Sequence, residues 1–287
     1  MTKRFERCVV VGTGLIGASL AGAGKARGLF THVVGVGRSL ANLETARERG
    51  LIDEATTDLF PALAGADLVV LATPVFTAVS QLHELAHHAP AAAVFTDVGS
   101  VKVPIVEEAK RRGLATRFLG AHPLAGKAET GAGAADPDLF RGRRVVLTPD
   151  DDTPAELVED MRRLWTALDA EVSVMDAADH DAVLARSSHL PQMVAYALAA
   201  TADGTDMREE IVRMIAGGFR DTTRLAASDA DMWVDIVRLN REAIVDAMDE
   251  FSVVWDDLRD AISDSDESTI RAVINASRKF RKEIAPS

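Results

Sequence analysis

The sequence predicts an α/β domain with a doubly wound, mostly parallel sheet, followed by an all-α C-terminal domain. Short apolar runs alternate with helical stretches up to about residue 175, a spacing typical of parallel sheets. A glycine-rich turn joins the first apolar run to the first helical stretch, and almost no strand pattern follows residue 176. We therefore place the two domains at residues 1–175 and 176–287.

Composition limits the classes of protein to which the chain can belong. Of its 287 residues, 47% are hydrophobic and 26% are charged, as in globular proteins that bury a full core. The net charge of -12 argues against general binding to nucleic acids or membrane surfaces, which needs a basic face. Cys8 is the only cysteine, so no disulfide can form within one chain, as expected in a reducing compartment. The N-terminus leads into an apolar strand instead of a secretory signal, and no apolar run reaches the roughly 20 residues of a membrane span. We expect a cytoplasmic protein.

The first apolar run, Cys8–Val11, ends in the turn GTGLIG, which an alanine-rich helix follows. A G-x-G-x-x-G pattern between a strand and a helix is typical of dinucleotide-binding folds. The first glycine permits the tight turn, the second admits a pyrophosphate to the backbone, and the third lets helix and strand pack. The alternative is a glycine-rich turn without a ligand. The residues assigned to the cofactor on this pattern are Gly12, Thr13, Gly14, Leu15, Ile16 and Gly17.

The end of the second predicted strand, His32–Gly37, bears on the choice between NAD and NADP. NAD-binding folds usually place Asp or Glu there, to accept a hydrogen bond from the ribose 2′-hydroxyl. Here Gly37 is followed by Arg38 and Ser39. Without the carboxylate a 2′-phosphate is not repelled, and Arg38 can pair with it through two parallel N–H bonds. We predict that NADP is preferred and NAD possible; if Arg38 only stacks on adenine, both cofactors will be accepted.

Polar residues and a histidine lie where later strands end. Thr73 and Pro74 close a strand that begins at residue 66, Ser100 follows a strand that ends at Asp97, and His122 lies in the sequence GAHPLAG. Ligands of doubly wound sheets bind across the carboxyl ends of the strands. An isolated His-Pro pair is typical of a turn. At this edge, however, we expect His122 to face the cofactor, with Thr73, Pro74 and Ser100 beside it.

Two more strands, Arg143–Pro149 and Ala170–Asp176, flank an amphipathic helix and are predicted to extend the same sheet. The chain after them is predicted to form helices, the first of them interrupted or kinked near Pro191. Their long apolar faces exceed what so small a domain can bury alone, which indicates dimerisation. Arg220 and Arg224 lie one helical turn apart and form either a carboxylate-binding pair or a solvated, salt-bridged face.

Taken together, these pieces resemble the prephenate/arogenate dehydrogenases of tyrosine biosynthesis. The matching pieces, from about residue 8 to about residue 240, are VVVGTGLIGASL, DVGSVK, GAHPLAG with Gly131 after it, DHDAVLARSSHLP and GGFRDTTRLAASDADMW. Many dehydrogenases share the first piece, whereas the whole set is specific to this family. The resemblance implies a Rossmann-type domain followed by a helical domain through which two chains intertwine as a homodimer.

The resemblance also implies a reaction and roles for individual residues. Hydride leaves C4 of a cyclohexadienol for the nicotinamide, the 4-hydroxyl loses its proton, and carbon dioxide departs as the ring becomes aromatic; no metal is needed. His122 then accepts a hydrogen bond from the hydroxyl, and Ser100 orients both His122 and the nicotinamide. His189 lines the same pocket. Arg224 holds a substrate carboxylate, with Arg220 as the second candidate.

Three positions depart from the commonest pattern of this family. Gln192 follows the S-H-L-P piece where histidine is frequent, and a neutral amide suits the amino-acid side chain of arogenate. Ala128 replaces a frequent glutamate, with Glu129 one place later, and Gly37-Arg38 replaces the acidic ribose contact. These differences favour an NADP-dependent enzyme that uses arogenate, with prephenate also accepted.

Other functions stay open at this point. The alternatives are an NAD-dependent prephenate dehydrogenase, a relative that acts on an amino-substituted prephenate, and a non-catalytic NADP-binding regulator. Ser100, His122 and Arg224 together argue against the regulator, because a protein that only binds NADP has no use for them. No strand-rich extension follows the last predicted helix, so we expect any inhibition by tyrosine to be direct competition at the active site.

Overall fold

A computed structural model describes residues 2–127 and 129–284, so Ala128 lies outside the described residues. Eight strands form one sheet: Phe5–Val11 (β1), Phe30–Val36 (β2), Glu54–Thr56 (β3), Leu68–Leu71 (β4), Val94–Asp97 (β5), Phe118–Pro123 (β6), Arg144–Thr148 (β7) and Glu171–Val174 (β8). Their spatial order is β3-β2-β1-β4-β5-β6-β7-β8. Neighbouring strands are parallel except β6 and β7, which are antiparallel. The predicted doubly wound, mostly parallel sheet is confirmed, and the strands predicted at 143–149 and 170–176 extend it.

The order of the strands opens a cleft in the middle of the sheet. From β3 at one edge the chain crosses to β4 on the other side of β1, and ligand clefts form at the carboxyl ends of strands at such a reversal. Neighbouring residues of β1 pack on opposite faces: Val10 joins one apolar cluster, and Val9 and Val11 join the other. Helices cover both faces, as parallel sheets require. These helices are Leu15–Ala26 (α1), Leu40–Glu48 (α2), Leu59–Ala62 (α3), Val75–His88 (α4), Val103–Arg111 (α5) and Ala155–Ala167 (α6).

After β8, the described chain to Ile284 contains helices and no strand. The α-helices are Ala177–Leu184 (α7), Leu190–Asp203 (α8), Arg208–Met214 (α9), Gly217–Thr223 (α10), Ala230–Leu239 (α11), Arg241–Ser263 (α12) and Glu267–Glu283 (α13). The interruption predicted near Pro191 is a π-helical turn, Ala185–His189. Pro191 has no N–H group to donate to the carbonyl of Ser187, so the regular hydrogen-bond ladder is broken there. None of the described helices is long and apolar enough to cross a membrane.

The helical domain contacts the sheet at the carboxyl end of β5. Asp181, in α7, accepts hydrogen bonds from the backbone N–H groups of Lys102 and Val103, each at 2.8 Å. Ile236, in α11, packs against Val101 from the same loop. These contacts hold α7 over the edge of the sheet at which the predicted site residues lie.

Candidate active site

The glycine-rich turn between β1 and α1 has the geometry of a phosphate-binding loop. Gly12 has a φ of 103°, and a Cβ atom there would lie 2.5 Å from the carbonyl oxygen of Ala72. A Cβ atom at Gly17 would collide with the carbonyl of Gly12, whereas one at Gly14 would meet nothing within 4 Å. The open space at Gly14 therefore faces the N-terminus of α1, where no side chain caps the first N–H groups. Free N–H groups and the helix dipole favour a phosphate at such a place, so the residues fit a dinucleotide.

Asn42 holds this turn, and the sequence alone did not reveal it. Its side-chain nitrogen donates to the carbonyl oxygen of Thr13 at 2.7 Å and to Thr13 Oγ1 at 3.1 Å. Its Oδ1 accepts from the N–H of Ala132 at 2.7 Å. Asn42 thus ties α2 both to the glycine turn and to the segment that follows β6. Only its place in the first turn of a helix after β2 could have drawn attention to it.

The residues predicted to contact the ribose lie directly after β2. Arg38 and Ser39 are exposed, and Arg38 has no hydrogen-bond or ion-pair partner in the part of the chain that the structure describes. Ser39 Oγ accepts from the N–H of Asn42 at 3.3 Å and caps α2, which leaves its O–H free to donate. On the other side of the cleft, Thr73 Oγ1 donates to Gln81 Oε1 at 3.0 Å, and Pro74 is the N-cap residue that precedes α4.

His122 lies inside β6, paired with Val146 of β7, instead of in a loop. The residue is 9% exposed, and its Nδ1 lies 2.9 Å from Nε2 of the fully buried His180. His180 Nδ1 in turn lies 2.7 Å from Oδ1 of Asp181. Within residues 2–127 and 129–284, Nε2 of His122 has no hydrogen-bond partner.

The prediction that Ser100 orients His122 stays a prediction, because no hydrogen bond joins the two residues in this structure. Ser100 is half-buried in the loop after β5 and forms no hydrogen bond with any residue that the structure describes. His180 occupies the Nδ1 side of His122 instead, because α7 is held at the end of β5 by Asp181. His180 and Asp181 belong to the DHDAVLARSSHLP piece, but no pattern in that piece indicated a role for them.

Burial keeps His122 uncharged. It lowers the pKa of His122 well below its ordinary value, and the neighbouring His180, Lys102 and His189 lower this pKa further. The Lys102 ammonium lies beneath the site, where it contacts Asp97 Oδ2 and donates to the carbonyl oxygen of Ala121 at 2.9 Å. A neutral imidazole with one unpaired ring nitrogen can accept a proton from a bound hydroxyl group.

His189 and Gln192 are anchored where α8 meets the later helices. Asn240 donates to His189 Nδ1 at 3.2 Å, and the His189 ring lies edge-to-face with Trp233 at 5.8 Å. Gln192 is buried, and its Nε2 donates to the carbonyl oxygen of Leu225 at 2.7 Å. A carbonyl only accepts hydrogen bonds, so the amide nitrogen must face Leu225 and Oε1 points away from it.

Arg220 and Arg224 do not share one regular helix. Arg220 lies in α10, whereas Arg224 begins a 3-10 turn that ends at Ala227. Both are exposed, and neither forms an ion pair within the described residues, so the salt-bridged alternative is not observed there. Arg224 is next to Leu225 and therefore close to Gln192. In the described part of the chain, neither arginine forms a hydrogen bond or ion pair with His122.

The buried histidines predict a loss of stability in mild acid. Burial lowers the pKa of His189 to about 4, and the pKa of His122 is also lowered. Below their ordinary pKa of about 6.5 these residues bind protons in the unfolded chain but not in the folded one. We expect the free energy of unfolding to fall as the pH drops from about 6.5 to about 4, as measured by urea denaturation. His189→Asn should lose less stability over this range than the unmodified protein. Equal losses would show that the lowered pKa of His189 does not cause the pH dependence.

A glycine turn at a helix N-terminus, at the cleft of a doubly wound sheet, defines a dinucleotide-binding protein. Comparisons with known proteins narrow this class. Residues 20–174 match the family model described as prephenate dehydrogenase, nucleotide-binding domain, and residues 176–276 match prephenate dehydrogenase, dimerization domain. The chain belongs to the prephenate dehydrogenase family.

Individual relatives cover nearly all of the chain. It is 34% identical to cyclohexadienyl dehydrogenase of Zymomonas mobilis subsp. mobilis, over 96% of this chain and 95% of the relative. It is 32% identical to prephenate dehydrogenase of Bacillus subtilis, over 98% of this chain and 76% of the relative. The fold is similar to A. aeolicus prephenate dehydrogenase in complex with hydroxyphenyl propionate and NAD+, with a TM-score of 0.93, 30% identity and 98% of each chain covered. It is also similar to Synechocystis arogenate dehydrogenase, with a TM-score of 0.85, 32% identity, and 97% and 100% of the two chains covered. Membership of this family identifies the protein as an NAD(P)-dependent dehydrogenase that acts on a small-molecule substrate.

Proposed function

We propose that the protein catalyses the oxidative decarboxylation of arogenate to tyrosine with NADP, and that it also accepts prephenate, giving 4-hydroxyphenylpyruvate. The observation that supports the reaction most directly is the free Nε2 of a neutral His122 at the carboxyl edge of the sheet. The bound nicotinamide supplies the acceptor for the hydride that leaves C4. His122 Nε2 accepts the proton of the 4-hydroxyl, and the bond to the ring carboxylate breaks as the ring becomes aromatic and carbon dioxide leaves. General-base help of this kind is typically worth about 10²–10⁴-fold in rate.

The proposed preference for arogenate rests on the orientation of Gln192. Its Nε2 is committed to the carbonyl of Leu225, so its free group is the acceptor Oε1. An acceptor suits the ammonium group of arogenate, whereas the side-chain ketone of prephenate would face it oxygen to oxygen. Arg224, exposed and without an ion pair within the described residues, is proposed to bind a substrate carboxylate, with Arg220 as the second candidate and His189 lining the pocket. The relatives named above include enzymes for either substrate.

The proposed preference for NADP rests on Arg38. Arg38→Ala is expected to weaken binding of NADP by about 10-fold or more, because a charge-assisted hydrogen bond contributes about 1.5–3 kcal/mol. Binding of NAD should change little. Titration of each nucleotide by calorimetry measures both effects. Arg4→Ala, at an exposed arginine at the start of the chain, is the matched control. Equal losses for the two nucleotides would mean that Arg38 only stacks on adenine.

Steady-state rates for four combinations test the proposal as a whole. The protein is mixed with NADP or NAD and with arogenate or prephenate, and the absorbance of the reduced cofactor is followed. We expect the largest kcat/KM with NADP and arogenate. The largest value with NAD and prephenate would favour the alternative prephenate dehydrogenase. No turnover in any combination would leave the non-catalytic NADP-binding regulator.

Tyrosine is proposed to inhibit by occupying the substrate site. It shares the phenolic oxygen that His122 would face and the amino-acid side chain that Gln192 would face. The apparent KM for arogenate should therefore rise with tyrosine while kcat is unchanged, as initial rates at several tyrosine concentrations would reveal. Inhibition that does not weaken as the substrate concentration rises would contradict a shared site.

The proposed assembly is a homodimer formed through the helical domain. The long helix α12 exposes Phe251, Val254 and Trp255, of which Trp255 is 59% exposed. An exposed apolar face of this kind marks an interaction surface. The description of the second family model as a dimerization domain supports a second copy of this chain as the partner.

A further inference from the structure

Three buried side chains form a hydrogen-bonded row behind the proposed site. Nδ1 of His122 lies 2.9 Å from Nε2 of His180, and Nδ1 of His180 lies 2.7 Å from Oδ1 of Asp181. The His180 side chain is fully buried, and that of Asp181 is 5% exposed. The row crosses from the helical domain to the sheet, since Asp181 and His180 belong to α7 and His122 to β6.

The acceptor at one end of the row determines where each proton lies. Both oxygens of Asp181 already accept backbone N–H groups, from Lys102 at Oδ1 and from Val103 at Oδ2. Asp181 therefore acts as an acceptor toward the ring as well, and the proton between them lies on His180 Nδ1. A neutral imidazole that carries its proton on Nδ1 has its lone pair on Nε2. His180 Nε2 then accepts from His122, which must carry its own proton on Nδ1.

We propose that His180 is a positioning residue that selects the Nδ1–H tautomer of His122 and so presents the Nε2 lone pair to the substrate hydroxyl. This inference rests on the proposed function of His122. An imidazole without such a partner can adopt either tautomer. The Nε2–H tautomer would present a donor where the reaction needs an acceptor. His180 then orients His122 from the Nδ1 side, and the role of Ser100 toward His122 and the nicotinamide, which the resemblance implies, stays a prediction.

The surroundings of the row favour positioning over proton conduction. Its inner end is Asp181, whose remaining partners are backbone N–H groups that cannot take up a proton. His180 has no contact with solvent. A proton accepted at His122 Nε2 must therefore leave through the substrate side.

Nitrogen NMR of the cofactor-free protein, labelled with 15N-histidine, tests the tautomer independently of activity. Protonated and unprotonated ring nitrogens have well separated shifts, and the His122 signals are assigned by their loss in His122→Asn. Above pH 7 we expect a protonated Nδ1 and an unprotonated Nε2 at His122. In His180→Leu this preference should disappear. A protonated Nε2 in the unmodified protein, or an unchanged tautomer in His180→Leu, would overturn the proposal.

Kinetics of two further variants keep the proposal testable if His180→Leu does not fold. His180→Gln places an amide oxygen near the position of Nε2 and can still accept from His122, whereas His180→Asn reaches only the position of Nδ1. We expect kcat to fall by about 10–100-fold in His180→Asn, by analogy with the loss seen when the hydrogen-bond partner that orients a metal-binding histidine is removed. His180→Gln should retain kcat within about threefold, with NADP affinity unchanged in both. Equal losses in the two variants would indicate a merely structural role.

Failure of the unmodified protein to turn over any substrate would refute the proposed function, while the NMR result would still decide the tautomer.

Discussion

His122→Asn is expected to lower kcat by about 10²–10⁴-fold, the range typical for loss of a general base. The asparagine amide can accept a hydrogen bond from the substrate hydroxyl but cannot take its proton. The dissociation constant of NADP should change little, because the glycine turn that fits the phosphates lies on β1 and α1, away from β6. Steady-state kinetics with saturating arogenate and a fluorescence titration of NADPH measure the two quantities.

The matched control for this variant is His87→Asn, which makes the same change on the exposed face of α4. It should leave kcat unchanged. An unchanged kcat in His122→Asn would remove His122 from the chemistry. Parallel losses of kcat and NADP affinity would instead indicate that the variant disturbs β6 and its neighbours.

Arg224→Gln is expected to lower kcat/KM for arogenate by about 10–150-fold, because a hydrogen bond to a charged group is worth about 1.5–3 kcal/mol. Arg224 is exposed and has no ion-pair partner among the residues described, so its charge is available to a bound carboxylate. Most of the loss should be in KM, since the carboxylate is held both before and during the reaction. NADP affinity should not change.

Arg220→Gln removes the same charge from the neighbouring helix α10 and serves as the comparison. A smaller effect there assigns the substrate carboxylate to Arg224. If Arg220→Gln lowers kcat/KM more than Arg224→Gln does, Arg220 is the residue that binds the substrate carboxylate. If neither variant alters KM, the carboxylate is bound elsewhere.

Local patterns predicted the individual strands, turns and helices because the residues that form each element are neighbours in the sequence, although the strands then pair over longer distances. The apolar run before Gly12 and the glycine spacing determine β1, its turn and the start of α1 within some 20 residues. The strands β7 and β8 are equally evident from their apolar residues. The interruption near Pro191 could also be predicted, because proline lacks a backbone N–H group in any protein and therefore breaks the regular helical hydrogen bonds.

The partners within the site depend on contacts between residues far apart in the sequence. His122 and His180 are separated by 58 positions, and Asn42 and Ala132 by 90. No periodicity links such pairs, so neither the contact between His122 and His180 nor the contact between Asn42 and Ala132 could be predicted from the sequence. Arg38 and Arg224 could be proposed from sequence because exposed charges act through their chemistry more than through packing.

The two hydrogen bonds from Lys102 and Val103 to Asp181 have a consequence for how the chain folds. Helix α5 begins at Val103 without a side-chain cap of its own, and Asp181 supplies that cap from beyond the last strand of the sheet. Uncapped N-terminal N–H groups weaken a helix. A fragment that ends at residue 175 would therefore fray at α5, next to the buried pair of Lys102 and Asp97. The nucleotide-binding and helical parts are expected to unfold in one cooperative transition rather than as separable modules.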